Sequence, residues 1–107
     1  MPTPRALSVT VRSDESGIVL YVDGELDMAT TRILTDRTDA IAVDPGASVT
    51  LDLAGVGFCD SVGITVLVRL RQRCDERGWS FSIVNTQPAV RRTLVEFSGL
   101  GDYLNVS

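Results

Sequence analysis

The sequence predicts an α/β domain in which helices pack on one small mixed sheet of about four to five strands. Short segments in which apolar and polar residues alternate are typical of strands. Along this chain they are separated by segments with helical periodicity. Strands separated by helices favour right-handed crossovers and parallel neighbours. A length of 107 residues suits one domain, which we predict over residues 1–107 with a core from about residue 7 to residue 106.

The chain is predicted to begin with two antiparallel strands. Residues 7–12 and 18–23 both alternate apolar and polar side chains. Between them, residues 13–17 read Ser-Asp-Glu-Ser-Gly, which is a turn composition. Five turn residues suit a hairpin, so these two strands should be direct neighbours in the sheet.

The first helix is predicted to follow the hairpin. Asp27 or Thr30 can serve as its N-cap, and Pro45-Gly46 stops it after about residue 43. Its apolar residues recur at helical spacing, which predicts an inward stripe of Ile33, Leu34 and Ile41.

The segment around Ser61 joins a predicted strand to a predicted helix. Residues 49–53 alternate as a strand does, and residues 54–57, Ala-Gly-Val-Gly, predict a loop. A helix is expected from about Ser61 to about Arg77, because apolar residues recur there at spacings of four, three and four. The residues on this face are Gly63, Leu67, Leu70 and Cys74.

Two interpretations of Ser61 stay open on the residues alone. The unpaired N–H groups and positive dipole end of a helix start favour an anion by about 0.3–1 kcal/mol. An Asp-Ser pair is also an ordinary helix cap, worth about 1 kcal/mol. Because functional loops of parallel sheets lie at the carboxyl ends of strands, the predicted loop between Leu53 and Ser61 is well placed for a site.

The last predicted elements are a strand over residues 79–85 and a helix that begins at Pro88. A first-turn proline is expected there, and Gly99 is predicted just past the helix end. Residues 103–106 are predicted to be extended. The inward stripe of the last helix is predicted to be Val90, Leu94 and Phe97.

Composition excludes several kinds of chemistry. The net charge is −4, which argues against a nucleic-acid partner. All ten basic residues are Arg, so the chain has neither the imidazole of a Ser-His or Cys-His enzyme nor the amine of a Schiff base. We therefore predict no catalytic residues, no metal site and no cofactor. The absence of a long apolar run or of an apolar signal core near the N-terminus predicts a cytoplasmic protein without a membrane association.

Arginines of the second helix are predicted to lie on one face. Arg69, Arg73 and Arg77 recur every four residues opposite the apolar stripe, which indicates a solvated surface. Contact with a partner is the alternative, and the same choice applies to Arg91 and Arg92.

The two cysteines differ in interest. Cys74 falls on the apolar helix face and is predicted to be a small buried hydrophobe. Near a helix start, the pKa of the Cys59 thiol could instead be lowered, which would permit a small redox protein or enzyme that uses Cys59 with Asp60. Burial at a strand end is the other interpretation, and no disulfide is expected.

Three motifs together resemble one family. Residues 60–63, Asp-Ser-Val-Gly, and the apolar residues after them resemble the D-S-x-G-[LI] segment of STAS-domain proteins, specifically the bacterial anti-sigma-factor antagonists. Residues 24–27, Gly-Glu-Leu-Asp, are similar to the family's G-E-[LV]-D turn. Residues 88–92 and 97–100 are similar to its S-P-x-V-[RK]-[RK] helix and S-G-L exit. Val62 stands where Ser is frequent, and Gln87 replaces the usual Ser before Pro88.

The resemblance implies a phosphorylation-controlled binding switch on a STAS-like fold. In that family the unphosphorylated protein binds an anti-sigma factor that is also a serine kinase of the histidine-kinase-like ATPase fold, which releases a sigma factor. The kinase then phosphorylates the antagonist, and a PP2C-type phosphatase reverses the step. Carried over to this chain, Ser61 is the phosphorylation site. The partner-binding residues are then Asp27, Asp60, Ser61, Val62 and Gly63.

A STAS domain in another role is the alternative that the resemblance leaves open. Such a domain would be a non-phosphorylated interaction or scaffold module, for example in a transport or stress-signalling complex. Phosphotransfer to Ser61 separates the two, because a simple binding module would show none.

Overall fold

The computed structural model describes residues 7–41 and 44–107. Four strands and three helices follow one another in the order that the sequence predicts. The strands are β1 (Ser8–Ser13), β2 (Gly17–Leu26), β3 (Ser48–Cys59) and β4 (Ser80–Val84). The helices are α1 (Thr31–Asp39), α2 (Ser61–Arg77) and α3 (Pro88–Arg91), the last continuing as a π-helix over Arg92–Phe97.

The strands form a single mixed sheet in the order β1-β2-β3-β4. β1 and β2 are antiparallel, as the predicted hairpin requires, while β2, β3 and β4 run parallel. Parallel neighbours place the carboxyl ends of β2 and β3 at the same edge of the sheet. Within the part of the chain that the structure describes, no helix has both the length and the apolarity to cross a bilayer.

Helices α1 and α2 lie side by side against the sheet. α1 contacts β1, and α2 contacts β3 and β4. The predicted apolar face of α2 is confirmed, because Gly63, Leu67, Leu70 and Cys74 are all buried. The core between the helices and the sheet is dominated by fully buried aliphatic side chains, among them Leu20, Leu26, Leu34, Leu51, Leu53, Leu67 and Ile83.

The prediction of a loop at residues 54–57 is wrong, because β3 continues to Cys59. Its register against β2 slips by one residue twice, once between Tyr21 and Asp23 and once between Gly24 and Glu25. Each slip is a bulge that inserts one extra residue on β3. The spacing of the buried side chains of β3 reflects the two bulges. It is two residues, then two, then three at each bulge, along Val49, Leu51, Leu53, Val56 and Cys59. Glycine and broken alternation thus mark bulges here instead of a strand end.

Polar side chains satisfy the backbone groups that the first bulge leaves without strand partners. The Asp52 carboxylate accepts a hydrogen bond from the Ala54 amide at 3.0 Å, and the Gln87 side-chain amide donates to the Ala54 carbonyl at 2.9 Å. Asn85 in turn donates to Asp52 at 2.8 Å. Gln87, one of the two departures from the family pattern, therefore has a structural role in this chain.

Helix α1 is shorter than the sequence predicts. It ends at Asp39, and residues 42–43, where the predicted end lies, fall outside the described residues. Leu34 and Ile41 are buried as predicted, but Ile33 is 38% exposed, so its inward placement is wrong.

The C-terminal elements also differ from expectation in part. Val90 and Leu94 are buried as predicted, but Phe97 is 78% exposed because the π-helix after Arg91 changes the direction of the last turn. Gly99 has φ +66, as a residue just past a helix end requires. Residues 103–105 form a turn instead of the predicted extended segment, with Leu104 fully buried. Val106 then makes a parallel bridge to Ile83 beside β4.

Candidate functional site at the start of helix α2

The register of β2 and β3 assembles the candidate site. Leu26 and Cys59 are the last paired residues of the two strands, and the Asp60 amide donates to the Leu26 carbonyl at 3.1 Å. Asp27 directly follows β2 and Asp60 directly follows β3, so both lie at the same edge of the sheet. Two acidic residues that lie 33 positions apart in the sequence flank the same short segment, which begins α2 at Ser61.

Asp60 is the N-cap of α2. Its backbone is extended, with φ −93 and ψ −174, and its Oδ1 accepts a hydrogen bond from the Gly63 amide at 2.9 Å. This contact satisfies one of the amides that a helix start leaves unpaired. The carboxylate is thereby held beside Ser61, at a helix end whose dipole favours negative charge.

Replacing the cap tests this geometry. We expect Asp60→Ala to lower the free energy of unfolding by about 1 kcal/mol, because the Gly63 amide loses its acceptor. Asp60→Asn should retain most of the stability, since Asn caps as well as Asp does without the charge. Urea unfolding of the three proteins measures both effects. Equal losses in Ala and Asn variants would contradict the cap and point to the charge instead.

The hydroxyl of Ser61 is open to solvent. Ser61 is the first residue of α2 and is exposed, and its side chain has no hydrogen-bond partner among residues 7–41 and 44–107. Its carbonyl accepts from the Thr65 hydroxyl at 3.0 Å, which is ordinary for a residue one turn away. The Ser61 hydroxyl is therefore accessible to another protein at the first residue of α2.

Asp27 orders the connection from β2 to α1. Its Oδ1 accepts hydrogen bonds from the amides of Ala29 at 3.0 Å and Thr30 at 3.1 Å. The Thr30 hydroxyl accepts from the Asp27 amide at 3.1 Å and donates to the Glu25 carbonyl. Thr30 occupies the N-cap position of α1 but makes no side-chain cap bond within the helix. Asp27 thus builds the turn before the helix, and its half-buried carboxylate stays at the site edge.

Gly63 permits the close packing of α2 on the strand ends. A Cβ at this position would lie 2.7 Å from the Leu26 carbonyl oxygen and 2.9 Å from the Cys59 Sγ. Both distances are shorter than any side chain tolerates without movement of its neighbours. Gly63 itself is buried, so its contribution to partner binding stays a prediction, whereas its packing role follows from the geometry.

Three exposed apolar side chains lie close in the sequence to the acidic and hydroxyl groups. Met28 is 77% exposed, Phe58 is 49% exposed and Val62 is 37% exposed, and each is next in sequence, or one residue away, from Asp27, Asp60 or Ser61. Large exposed apolar residues that are grouped with polar ones are characteristic of protein-binding surfaces. Val62 was predicted from the sequence, but Met28 and Phe58 were missed. Phe58 is exposed because the second bulge of β3 changes which side chains face the core, and the sequence pattern did not predict that bulge.

Comparison with known proteins agrees with this geometry. A family model described as "Mlab, STAS domain" matches residues 9–105. The chain belongs to the STAS-domain family. The family resemblance predicted from its three motifs is therefore confirmed, and so is the STAS-like fold.

Curated relatives and a solved structure are similar over most of this STAS domain. The anti-sigma-F factor antagonist RsfB of Mycobacterium tuberculosis is 27% identical over 94 residues, which is 88% of this chain and 76% of the relative. The anti-sigma-B factor antagonist of Bacillus subtilis is 27% identical over 101 residues, 94% of this chain and 91% of the relative. The crystal structure of an anti-sigma factor antagonist from Mycobacterium paratuberculosis superposes with a TM-score of 0.81 at 27% identity, covering 99% of this chain and 89% of that one.

Cys59 of this STAS domain is not an activated thiol. Its side chain is buried beneath the start of α2, and burial, aided by the charge of Asp60, raises the pKa of the Cys59 thiol to about 12. The lowered pKa considered from the sequence is therefore wrong, because the desolvation of the thiolate outweighs the helix dipole. Burial likewise raises the pKa of Cys74 to about 11. Both are free thiols.

Thiol modification provides a direct check. At pH 8 a thiol of pKa 12 is ionised in about one molecule in ten thousand, whereas a free Cys of pKa 8.5 is ionised in about a quarter of molecules. We expect a maleimide to leave both cysteines of the folded protein unmodified while it labels both in urea within minutes. Intact mass counts the labels. Rapid labelling of the folded protein at Cys59 alone would contradict the raised pKa and favour the redox interpretation.

Proposed function

We propose that this STAS domain is an anti-sigma factor antagonist controlled by phosphorylation of Ser61. In its unphosphorylated form it binds an anti-sigma factor that is a serine kinase of the histidine-kinase-like ATPase fold, and a sigma factor is released. The kinase phosphorylates Ser61 and binding ends, until a PP2C-type phosphatase removes the phosphate. The observation that carries the proposal is the exposed Ser61 hydroxyl at the start of α2, which has no hydrogen-bond partner among the described residues, in a chain similar to named anti-sigma factor antagonists.

The site suits a switch that needs no refolding. Phosphorylation adds a charge of about −1.5 to −2 and three acceptor oxygens. Within the domain, the N-terminal dipole of α2 stabilises that charge. A partner that has accommodated a neutral hydroxyl beside Met28, Phe58 and Val62 would have to bury the phosphate, and the desolvation cost opposes binding. Asp60, held next to Ser61 by its cap bond, adds further negative charge to the same surface.

The remaining features of the proposal follow from this role. Asp27, Asp60, Val62 and Gly63 present or position the binding surface around Ser61, and none of them is a catalytic group. The domain acts as substrate and ligand of its kinase, with no enzymatic activity, cofactor, metal, nucleic-acid partner or membrane association of its own. Its partners are cytoplasmic, and the proposed localisation is the cytoplasm.

Phosphotransfer tests the proposal. Wild-type protein and Ser61→Ala are incubated with ATP and a lysate of the source organism, repurified and weighed by intact-mass spectrometry. We expect one added phosphoryl group on the wild type and none on the variant. If neither protein gains mass while a general kinase substrate is labelled in the same lysate, the non-phosphorylated STAS scaffold becomes the better account.

A further inference from the structure

Six arginines lie on helices α1 and α2, and the structure divides them into two classes. Four have partners: Arg37 donates to the Val9 carbonyl, Arg71 pairs with Asp75, Arg73 pairs with Asp39, and Arg77 donates to the Ile41 carbonyl. Arg32 and Arg69 make no ion pair or hydrogen bond with any described residue. The solvated face predicted from the sequence thus contains both kinds of arginine, since Arg73 and Arg77 are engaged and Arg69 is not.

The two unpaired arginines line one groove. An open groove of about 530 Å³ runs between α1 and α2, and we call it the helix groove. Arg32 and Asp36 line it from α1, and Val62, Thr65 and Arg69 line it from α2. Two guanidinium groups against one carboxylate make this groove net positive on a chain whose net charge is −4.

The position of the helix groove connects it to the phosphorylation site. Val62 lines the groove and directly follows Ser61, while Thr65 lies one turn further along α2. A protein that binds at the Ser61 hydroxyl can therefore also contact the helix groove, because both lie on the first turns of α2. An unpaired guanidinium group can donate two parallel hydrogen bonds to one carboxylate. Its positive charge also attracts acidic segments over a distance.

We propose that the helix groove is a docking site for an acidic segment of the serine kinase that recognises Ser61. This inference rests on the proposed function and adds the chemistry of the partner: carboxylates that pair with Arg32 and Arg69. Docking there sets the affinity of the encounter, while the start of α2 presents the hydroxyl to be phosphorylated. Charge complementarity of this kind governs association rate and specificity.

Kinetics of Ser61 phosphorylation by the purified kinase test the groove. The variant is Arg32→Ala/Arg69→Ala, and the matched control is Arg91→Ala/Arg92→Ala, which removes the same charge from an exposed position on another helix. We expect the groove variant to raise the apparent KM about tenfold with kcat changed less than about twofold. The control should stay within about twofold in both constants, and raised salt should shrink the difference between the proteins.

The outcomes separate the two proposals. Neither arginine of the groove makes a hydrogen bond or ion pair with a described residue, so the groove variant should unfold at the wild-type urea midpoint. A groove variant with wild-type KM, or a control variant with an equally raised KM, overturns the docking site while the function stands. A wild-type chain that the kinase neither binds nor phosphorylates at Ser61 overturns the function and the docking site together.

Discussion

Ser61→Asp is expected to weaken binding to the partner kinase by at least about tenfold, whereas Ser61→Ala should bind within a few-fold of the wild type. The Asp side chain places a permanent charge where the partner accommodates a neutral hydroxyl, beside the fixed carboxylate of Asp60. The Ala side chain removes the hydroxyl and adds no charge. Isothermal titration of each protein into the kinase with bound ADP measures binding without phosphorylation.

A control separates this effect from misfolding and from net charge. Gln72→Asp adds the same charge to an exposed position three turns along α2 and should leave binding unchanged. The helix dipole predicts that Ser61→Asp has equal or slightly greater stability, by about 0.3–1 kcal/mol, because a negative charge is favourable at a helix start. Lower affinity with undiminished stability is the expected signature. Wild-type affinity of Ser61→Asp would disprove the electrostatic account.

Gly63→Val is expected to have the largest effect on the fold itself, a loss of more than about 3 kcal/mol in the free energy of unfolding. A Cβ at Gly63 already lies 2.7 Å from the Leu26 carbonyl oxygen, and a branched side chain would also meet the Cys59 sulfur. Helix α2 must then move away from the strand ends, which separates the Asp60 amide from Leu26. Urea unfolding measures the loss.

The same substitution on the exposed face of the helix calibrates that result. Gln72→Val introduces an identical side chain into α2 and should cost only the helix propensity of Val, about 0.5 kcal/mol. If Gly63→Val and Gln72→Val lose similar amounts, the close approach at Leu26 is not a constraint and the packing account of Gly63 is wrong. A Gly63→Val chain that fails to fold while Gln72→Val folds normally agrees with the account.

Local patterns in the sequence predict most of the candidate site. Periodicity and capping rules were sufficient for features that depend only on neighbouring residues in the sequence. These are the cap at Asp60, the helix start at Ser61 and the buried stripe through Leu67 and Leu70. The proximity of Asp27 to Asp60 depends on the pairing of two distant strands. The family motifs implied it, and the β2–β3 register explains it.

The failures have a common physical origin in long-range contacts. Residues 54–57 have a loop composition, but pairing with β2 keeps them in a bulged strand, which no local rule can foresee. Phe97 fits a helical stripe, but the π-helix rotates it into solvent. The thiol of Cys59 lies at a helix start, but burial under Gly63 decides its pKa. The hydrogen bonds and ion pairs of the arginines likewise depend on residues that are distant in the sequence and close in the fold.

Release of a sigma factor is the direct test of the proposed switch at Ser61. A preformed complex of the kinase and its sigma factor is mixed with this protein, either unphosphorylated or phosphorylated only on Ser61, and free sigma factor is measured by size-exclusion chromatography. We expect release by the unphosphorylated protein and none by the phosphorylated protein at the same concentration. Equal release by both forms would show that the charge on Ser61 does not control binding and would contradict the switch.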